Sequence, residues 1–550
     1  MKVNPKLPQV SSNTFINDYL SACGVKDINK YLRPDNSCFD SPWDYPNMEE
    51  AVELLNVAIQ EECGIGILVD SDLDGCASAA LMTIFLRGLL RQRRIDPIIF
   101  QHTGKQHGLN DVLDDIINSP VGLLIIPDAG SNDRTECMAL AQNHIKTIIL
   151  DHHEILNSNP YAIVVNHHLG NGLNTALSGT GVTDKFIRAY CEKYGCSRWF
   201  FDDLVAISLI SDVCDITTLE NRAYLYSGLN NVTNPFLHLL FEKNSKKYGY
   251  TPEAIAWGIA PLANALARVD NQETKLLFFK ALIGDIDGNE ALTDLRRIKR
   301  QQDEAVKLAT NTIEPKLNLD HKVIIGFGEV EDKNYLGLIA NKFVGKYNKP
   351  TILLRESNNT TWSGSLRSPV ELADRINTSK LAKAMGHQSA CGIIVKKSQL
   401  RRFANWLDSL DLDVQPDIPV TAIVDSNDVD VKLCEIIDSN RQLWGHGLDS
   451  PTFYISAIVT QDNIAVFKKN TNTIRISLGN LTCLKFFAKD EDISTLTSKP
   501  KFRLEMIVKN CKVNDYNNVL TPQCEIDRYE ISDVKDEIDS SELDWDEVFK

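Results

Sequence analysis

The stretch GIGILVDSDLDG, residues 64–75, decides the fold of this chain. GIGILV is a short apolar run that predicts a buried strand, and Asp70, Asp72 and Asp74 follow it directly. The next residues, CASAALMTIFLRGLLRQ (76–92), read as a helix. A buried strand, an acidic turn and a helix in succession indicate the first β–α unit of an α/β domain.

The same unit recurs over the next hundred residues. Four more apolar runs predict strands: IDPIIF (95–100), GLLIIPD (122–128), KTIILD (146–151) and YAIVVN (161–166). Helical stretches lie between most of them, so we predict a mainly parallel sheet that is covered on both faces. Ligands of such sheets gather beyond the carboxyl ends of the strands, where several aspartates of this chain fall.

Changes of pattern along the 550 residues predict six segments. They are an N-terminal lead-in (1–46), a first α/β domain (47–230), a helical connector ending in a long polar helix (231–312), a second α/β domain (313–410), a β-rich unit of short strands typical of a small barrel (420–530), and an acidic tail (531–550). Residues 411–419 read as a linker, and the tail has so few apolar anchors that we expect it to be disordered.

Composition restricts the classes of protein and partner. The net charge of −16 argues against a nucleic-acid partner, although nine acids and two bases fall within residues 530–550 alone. We find no apolar run long enough to predict a membrane span and no secretory signal in MKVNPKLPQVSSN, so we expect a cytoplasmic protein. The thirteen cysteines form no CxxC pair, and we interpret them as buried small side chains rather than as a zinc site.

The acids after the first strand predict a cation site. In an extended strand Asp70, Asp72 and Asp74 would share one face, where three carboxylates repel each other unless a cation lies between them. Oxygen donors suit hard divalent ions such as Mg²⁺ and Mn²⁺. The alternative interpretation is a polar turn with a helix cap at Asp74.

Three further segments carry matching residues. Asp128 ends the strand GLLIIPD, and Asp151, His152 and His153 follow KTIIL. Asp212 ends the apolar helical run LVAISLIS. One histidine can bind metal while the other faces substrate, and an adjacent carboxylate can orient a ring. Five aspartates and one histidine fit a pair of metal ions, and such a pair is suited to hydrolysis of phosphate esters.

The ordered motifs DSDLDG, PDAG, DHH and SDV resemble those of the DHH phosphoesterase superfamily. Further stretches resemble the RecJ family, and the resemblance spans about residues 14–530. They are FINDYLSACGVKDINKYLRP, LSGTGVTDKFIRAY, ENRAYLYSGL, NYLGLIANKFVGKYNKPTILL, SGSLRS, GHQSACG and RQLWGHGLDSPTFYI. The resemblance implies a catalytic DHH domain, a DHH-associated domain that contacts substrate, and an OB-fold.

The resemblance also assigns roles to single residues. It implies metal ligation by Asp72, Asp74, Asp128, His152 and Asp212, with Asp70 preceding them and Asp128 bridging two Mn²⁺ or Mg²⁺ ions. It places His153 near the scissile phosphate. It implies that Ser365, Arg367 and His387 contact substrate phosphates, and an arginine that forks onto a phosphate is chemically suitable there. Ala129, Met385, Cys391 and WGHGLDSP depart from the family pattern, which bears on substrate geometry more than on metal binding.

The predicted function is a metal-dependent exonuclease that degrades single-stranded DNA from the 5′ end, in recombination, repair or replication. One alternative is a phosphodiesterase acting on short oligonucleotides or cyclic dinucleotides, which would leave residues 420–530 unexplained. Another is a non-catalytic replication scaffold, although such proteins usually lose metal ligands. The tail SSELDWDEVFK reads either as a solubilising end or as a peptide that docks on a single-strand-binding protein or another replication protein, and it could also compete with DNA. A virus-encoded enzyme acting in a bacterial host is compatible with the divergent motifs.

Overall fold

The computed structural model describes residues 1–91, 96–102, 108–197, 200–244, 247–269, 271–329, 334–412, 418–468 and 471–534. The predicted tail beyond residue 534, including SSELDWDEVFK, lies outside these ranges. The first α/β region contains five strands, which are β2 (Ile65–Val69), β3 (Ile98–Gln101), β4 (Leu123–Pro127), β5 (Lys146–Leu150) and β6 (Ile163–Val165). They form one parallel sheet in the order β3-β2-β4-β5-β6.

Helices surround this sheet and continue into an all-helical region. They are α1 (Phe15–Ala22), α2 (Ile28–Leu32), α3 (Met48–Gln60), α4 (Leu73–Leu90), α5 (Leu113–Ile117), α6 (Arg134–Gln142), α7 (Gly179–Tyr194), α8 (Asp202–Ser211), α9 (Leu219–Asn230), α10 (Pro235–Asn244), α11 (Pro252–Ala254), α12 (Ala260–Leu266), α13 (Gln272–Lys275), α14 (Leu277–Leu282) and α15 (Gly288–Ile313). A π-helical turn, Ile255–Ile259, joins α11 to α12. The 26 residues of α15 are the long polar helix that the sequence predicts.

The second α/β region follows α15. Its elements are β7 (Ile324–Phe327), α16 (Leu336–Tyr347), β8 (Thr351–Asn358), β9 (Thr361–Arg367), α17 (Ala373–Ser379), β10 (Ala382–His387), β11 (Ala390–Lys396) and α18 (Leu400–Ser409). The strands form a sheet in the order β10-β11-β9-β8-β7, in which only β7 and β8 run parallel. Its packing clusters contain no residue of the first sheet, so α15 is its main attachment.

The C-terminal region is β-rich, as predicted. Its elements are β12 (Ile418–Val420), β13 (Ala422–Ile423), α19 (Val431–Ser439), β14 (Phe453–Thr460), β15 (Ile464–Lys468), β16 (Asn472–Leu478), β17 (Leu481–Lys485), α20 (Asp490–Thr497), β18 (Lys501–Tyr516) and β19 (Val519–Ser532). Seven strands form one sheet in the order β13-β14-β18-β19-β17-β16-β15. The short strand β1 (Val3–Pro5) pairs with β12, so the chain's first residues contact its last region.

The β-rich region shares a core with the first α/β region. One buried cluster includes Phe15, Leu73, Phe453 and Phe502. The Tyr19 hydroxyl also donates to the Asp449 carbonyl at 2.9 Å. Because the two regions are packed into one core, the β-rich sheet has a fixed position relative to the parallel sheet.

The structure differs from the sequence expectation at two places. The strand β2 ends at Val69, Asp72 is the N-cap of α4, and Asp74 lies in the first helical turn. The three acids therefore do not share one face of an extended strand, and the cap is Asp72 because its side chain accepts from the Gly75 amide. Strand β19 continues to Ser532, past the predicted boundary at residue 530, because it stays paired with β18.

Two expectations about composition also change. Cys191, in the last turn of α7, forms a disulfide with Cys196, which follows the helix, whereas nine of the eleven free cysteines are buried small side chains. Among the described residues, the helix Leu73–Leu90 is apolar and long enough to span a membrane, but 78% of it is buried inside the fold. It is the helix that covers β2 in the core.

Candidate metal centre

Polar residues follow every strand of the parallel sheet at its carboxyl end. Because parallel strands end at the same edge, these residues meet there, and we call this edge the catalytic edge of the sheet. They are His102 after β3, Asp70 after β2, Asp128 after β4, Asp151 after β5 and Asn166 after β6.

The predicted metal ligands converge at this edge. Three overlapping groups each offer donor atoms that lie within 4.8 Å of one another. The groups are Asp70 with Asp72 and Asp128, Asp74 with His152 and Asp212, and Asp128 with His152 and His153. Asp128 belongs to the first and third groups, and its Oδ1 atom lies 3.2 Å from Nε2 of His152, a member of the second group.

Asp74 is held by the start of α7. Its carboxylate accepts from the Gly179 amide at 2.8 Å, the Thr180 amide at 2.9 Å and the Thr180 hydroxyl at 2.5 Å. A helix N-terminus presents amide donors and a partial positive charge, so it stabilises an adjacent carboxylate. The stretch SGTG therefore fixes the orientation of Asp74.

Asp128 has a strained backbone and a crowded carboxylate. Its φ of +65° lies in the left-handed region, which costs free energy in residues other than glycine and is often found at functional sites. A Cβ on Gly179 would lie 2.3 Å from Asp128 Oδ1, so only glycine leaves room for the carboxylate. Burial, and then the charges of Asp74 and Asp72, raise the pKa of Asp128 well above its usual value.

The Asp-His-His run divides its roles. His152 Nε2 lies 3.2 Å from Asp128 Oδ1 and 3.6 Å from Asp212 Oδ2, which places this ring among the donor groups. Asp151 instead accepts from the Ser131, His152 and His153 amides and contacts His153 Nδ1 at 2.8 Å. This contact raises the pKa of His153 to about 9. Asp151 therefore orients the loop and the His153 ring.

Asp212 closes the centre from the end of α8. Burial and the charge of Asp74 raise the pKa of Asp212 to about 6. The next residue, Val213, has a φ of +56°, so the chain turns sharply away from the site after this carboxylate. Carboxylates with raised pKa values, clustered with one imidazole, are a donor set that fits hard divalent cations such as Mg²⁺ and Mn²⁺.

The second α/β region carries the predicted phosphate contacts. Arg367 ends β9 and donates to Ser365 Oγ at 2.8 Å. The register aligns both Arg367 and His387 with Ala390 on the strand between them, so the two side chains lie on one face of the sheet. Gly337 of α16 leaves room for the guanidinium, because a Cβ there would lie 2.8 Å from its Nη2 atom.

The sequence did not single out Arg268, which the structure places beside Arg367. Burial and the positive charge of Arg367 lower the pKa of Arg268. Among the ion pairs of the described residues, neither arginine has a carboxylate within 4.0 Å, and Arg268 Nε is buried without a hydrogen-bond partner. Two adjacent guanidinium groups of this kind favour an anion. The signal in the sequence was only an arginine after an apolar helix.

A groove of about 940 Å³ lies between the helical region and the β-rich region. Its lining includes Val213 and Cys214, the two residues that follow Asp212. The π-helical turn presents Trp257, which is 71% exposed, and the residues after β17 present Phe487, which is 77% exposed. The basic side chains of the lining are balanced by acids, as in the pairs Arg441–Glu253 and Lys509–Asp527.

Comparisons with known proteins agree with this architecture. Residues 64–207 match the model of the DHH family, N-terminal domain. A protein named putative SPbeta prophage-derived single-strand DNA-specific exonuclease YorK, from Bacillus subtilis, is 28% identical over 92% of this chain and 94% of its own length. The single-stranded-DNA-specific exonuclease RecJ of Haemophilus influenzae is 25% identical over 74% of this chain and 77% of its own.

A solved structure extends the likeness to the fold. The Mn²⁺ complex of RecJ from Thermus thermophilus has a TM-score of 0.77 at 19% identity, and the match covers 96% of this chain and 79% of that one. The matched DHH range contains all the predicted metal-site residues except Asp212, which follows five residues after its end. Residues 64–207 therefore match a DHH family N-terminal domain, and the chain is similar to RecJ in sequence and in fold.

Proposed function

We propose that the protein is a two-metal exonuclease that hydrolyses the phosphodiester bonds of single-stranded DNA from the 5′ end. The observation that carries the proposal is the convergence of Asp70, Asp72, Asp128, His152 and Asp212 with Asp74 at one sheet edge. The relatives' names support the substrate, and the RecJ resemblance supports the polarity.

Each residue of the centre has a proposed role. Asp70, Asp72 and Asp128 would hold one Mn²⁺ or Mg²⁺ ion, and Asp74, His152 and Asp212, together with Asp128, would hold a second. A metal pair bound by these residues would supply the Lewis-acid chemistry that activates a water and offsets the charge on the leaving oxygen of an in-line displacement. The water adds across the P–O bond, which leaves a phosphate on one product and a hydroxyl on the other.

The remaining residues orient the substrate. His153, fixed by Asp151, donates a hydrogen bond to a non-bridging oxygen of the scissile phosphate. Ser365, Arg367 and His387 bind backbone phosphates from the second domain, and Arg268 adds a second guanidinium to that group. A DNA strand that contacts both the metal centre and the second domain has its scissile bond fixed relative to the metal donors. This lowers the entropic cost of the reaction.

The groove is proposed as the path of the unpaired strand. Its exposed rings, Trp257 and Phe487, can stack with bases. Such stacking does not depend on the base sequence, and it contributes about 1–3 kcal/mol of binding free energy per base. The balanced charge of the lining indicates that stacking contributes more there than phosphate contacts do. We propose that the β-rich sheet is an OB-like barrel, since such barrels bind single strands with exposed aromatics.

We propose a cytoplasmic enzyme, in a bacterial cell or in the host of a virus that encodes it. We further propose that residues 538–550 dock on a single-strand-binding or replication protein. Deletion of these residues should leave DNA hydrolysis unchanged and remove partner binding. Tighter DNA binding by the purified truncated chain would support competition with DNA instead, and no change in either assay would reduce the tail to a solubilising end.

End-labelled substrates test the proposed function. Single strands labelled at the 5′ or 3′ end, in DNA and RNA, are digested with Mn²⁺ or Mg²⁺ and compared with blunt duplex and with duplex carrying a 5′ overhang. We expect DNA single strands to release the 5′ label first and blunt duplex to be a poor substrate. Equal rates on blunt duplex, or release of the 3′ label first, would contradict the proposal.

A further inference from the structure

We propose that His102 is a positioning residue of the metal centre: braced by Asp111, its ring fixes the Asp70 carboxylate in the orientation that a divalent cation requires. The inference rests on the proposed function, because it assigns a task within that site. Neither the acidic motifs nor the DHH run draws attention to His102, which follows an ordinary apolar strand.

The backbone places His102 beside Asp70. The strands β3 and β2 are parallel neighbours, and Val69 pairs with Gln101 in their register. The next residue on each strand is Asp70 and His102, so both lie at the same level of the catalytic edge. Since β2 has β4 on its other side, Asp70 lies between His102 and Asp128.

The side chains complete a row of three groups. His102 Nδ1 lies 2.6 Å from Asp111 Oδ1, and His102 Nε2 lies 3.2 Å from Asp70 Oδ1. The His102 side chain is 1% exposed and that of Asp70 is 0% exposed, so water does not compete for the contact between them. Asp111 fixes the ring, and the ring in turn restricts rotation of the Asp70 carboxylate.

Packing alone does not account for this arrangement. A buried imidazole between two carboxylates costs desolvation free energy, and an apolar side chain of similar volume usually fills such a space at lower cost. Asp70 shares a group of possible metal donors with Asp72 and Asp128, so His102 touches the ligand set from outside. Residues that orient metal ligands in this way commonly change metal affinity by about 10–100-fold when replaced.

Titration of the purified protein with Mn²⁺ alone tests the inference, with free Mn²⁺ followed by electron paramagnetic resonance. We expect the natural protein to bind two ions. In His102→Gln one ion should bind about 10-fold more weakly or worse, while the other keeps its affinity. DNA hydrolysis by this variant should recover as Mn²⁺ is raised, which a purely structural defect would not show.

Two further variants make the test specific. Asp111→Asn keeps the His102 ring and the shape of the site, and it should weaken binding of the same Mn²⁺ ion by a smaller factor. This variant provides the test if His102→Gln does not fold. His321→Gln is the matched control, because His321 contacts Asp408 in the second domain as a half-exposed histidine–carboxylate pair. It should bind both ions normally.

The outcomes separate this inference from the proposed function. Two ions bound with natural affinity in both His102→Gln and Asp111→Asn would overturn the positioning role, and so would a loss of hydrolysis that Mn²⁺ does not restore. A natural protein that binds two ions but cuts no DNA would instead refute the exonuclease, and the effect of His102 on Mn²⁺ affinity would still be measurable.

Discussion

Asp128 Oδ1 and His152 Nε2 face each other at 3.2 Å across the catalytic edge. The Asp128 oxygen is buried and has no hydrogen-bond partner among the described residues. Two ligands that lie about 2.1 Å from one Mg²⁺-sized ion at right angles are separated by about 3 Å. The observed distance therefore fits two donors to a shared cation.

The first prediction concerns this bridging position. Asp128→Asn should reduce hydrolysis by about a thousandfold or more, because a lost metal contribution of about 4 kcal/mol corresponds to that factor. Circular dichroism should show an intact fold, since the variant removes a buried charge that neighbouring carboxylates repel. Asp203→Asn is the control, because Asp203 is equally buried but accepts from the Thr233 and Asn234 amides outside the centre. Full activity in Asp128→Asn would refute the two-metal interpretation.

The second prediction concerns stability and pH. The folded pKa of Asp212, raised to about 6, exceeds the unfolded value of about 3.9, so the metal-free folded state binds more protons in that window. Stability of the metal-free protein should therefore fall as pH rises from about 4 to about 6 and stay lower above it. Saturating Mg²⁺ should offset the charge and raise the melting temperature more at about pH 8 than at about pH 5.

Calorimetry at these two pH values checks the second prediction. Asp212→Asn should show a smaller fall in stability with pH than the natural chain does. If Mg²⁺ raised the melting temperature equally at both pH values, the carboxylates of the centre would not be the cause of the pH dependence of stability.

The third prediction concerns the groove. Trp257→Ala and Phe487→Ala should each weaken binding of single-stranded DNA by about 5–150-fold, the equivalent of about 1–3 kcal/mol per stacked base. Mn²⁺ affinity should not change. Phe467→Ala is the control, because Phe467 is an exposed ring on β15 that does not line the groove. Fluorescence anisotropy measures the affinities, and equal affinities in all four proteins would exclude the groove as the DNA path.

The fourth prediction concerns the paired arginines. Arg367→Ala and Arg268→Ala should each raise KM for DNA by about 10-fold or more, because each removes a charge-assisted hydrogen bond worth about 1.5–3 kcal/mol. Arg367→Lys should recover only part of the loss, since an ammonium lacks the fork geometry. Arg355→Ala, at a half-buried position of β8, is the control. If the variants changed Mn²⁺ affinity but not KM for DNA, these arginines would support the structure of the site and would not bind the DNA.

A final prediction concerns salt. Affinity for single-stranded DNA should fall as salt rises, because cationic residues such as Arg367 release counterions from the strand. The balanced lining of the groove predicts that Trp257→Ala lowers affinity by a similar factor at every salt concentration. Affinity that does not respond to salt would show that phosphate contacts contribute little to binding.

Local sequence was sufficient to predict the parallel sheet and to single out acidic residues that the structure brings together at its edge. Runs such as GIGILV and KTIIL form strands whose two faces are buried, so their continuous apolar pattern identifies them as strands of a parallel sheet. The polar residues that follow such strands must then lie at one edge of the sheet. The order of the motifs then identified the DHH domain without any knowledge of distances. The helical connector and the second α/β region were also predictable from periodicity.

Tertiary structure decided what depends on contacts between distant segments. The sequence could not show that Asp72 caps a helix, that Gly179 makes room for Asp128, or that His102 pairs with Asp111 and Asp70, because strand register and helix packing set those distances. It likewise could not place Arg268 beside Arg367, since the two belong to different regions. Periodicity reports which face of an element is buried, whereas the neighbours of a polar group follow only from the folded chain.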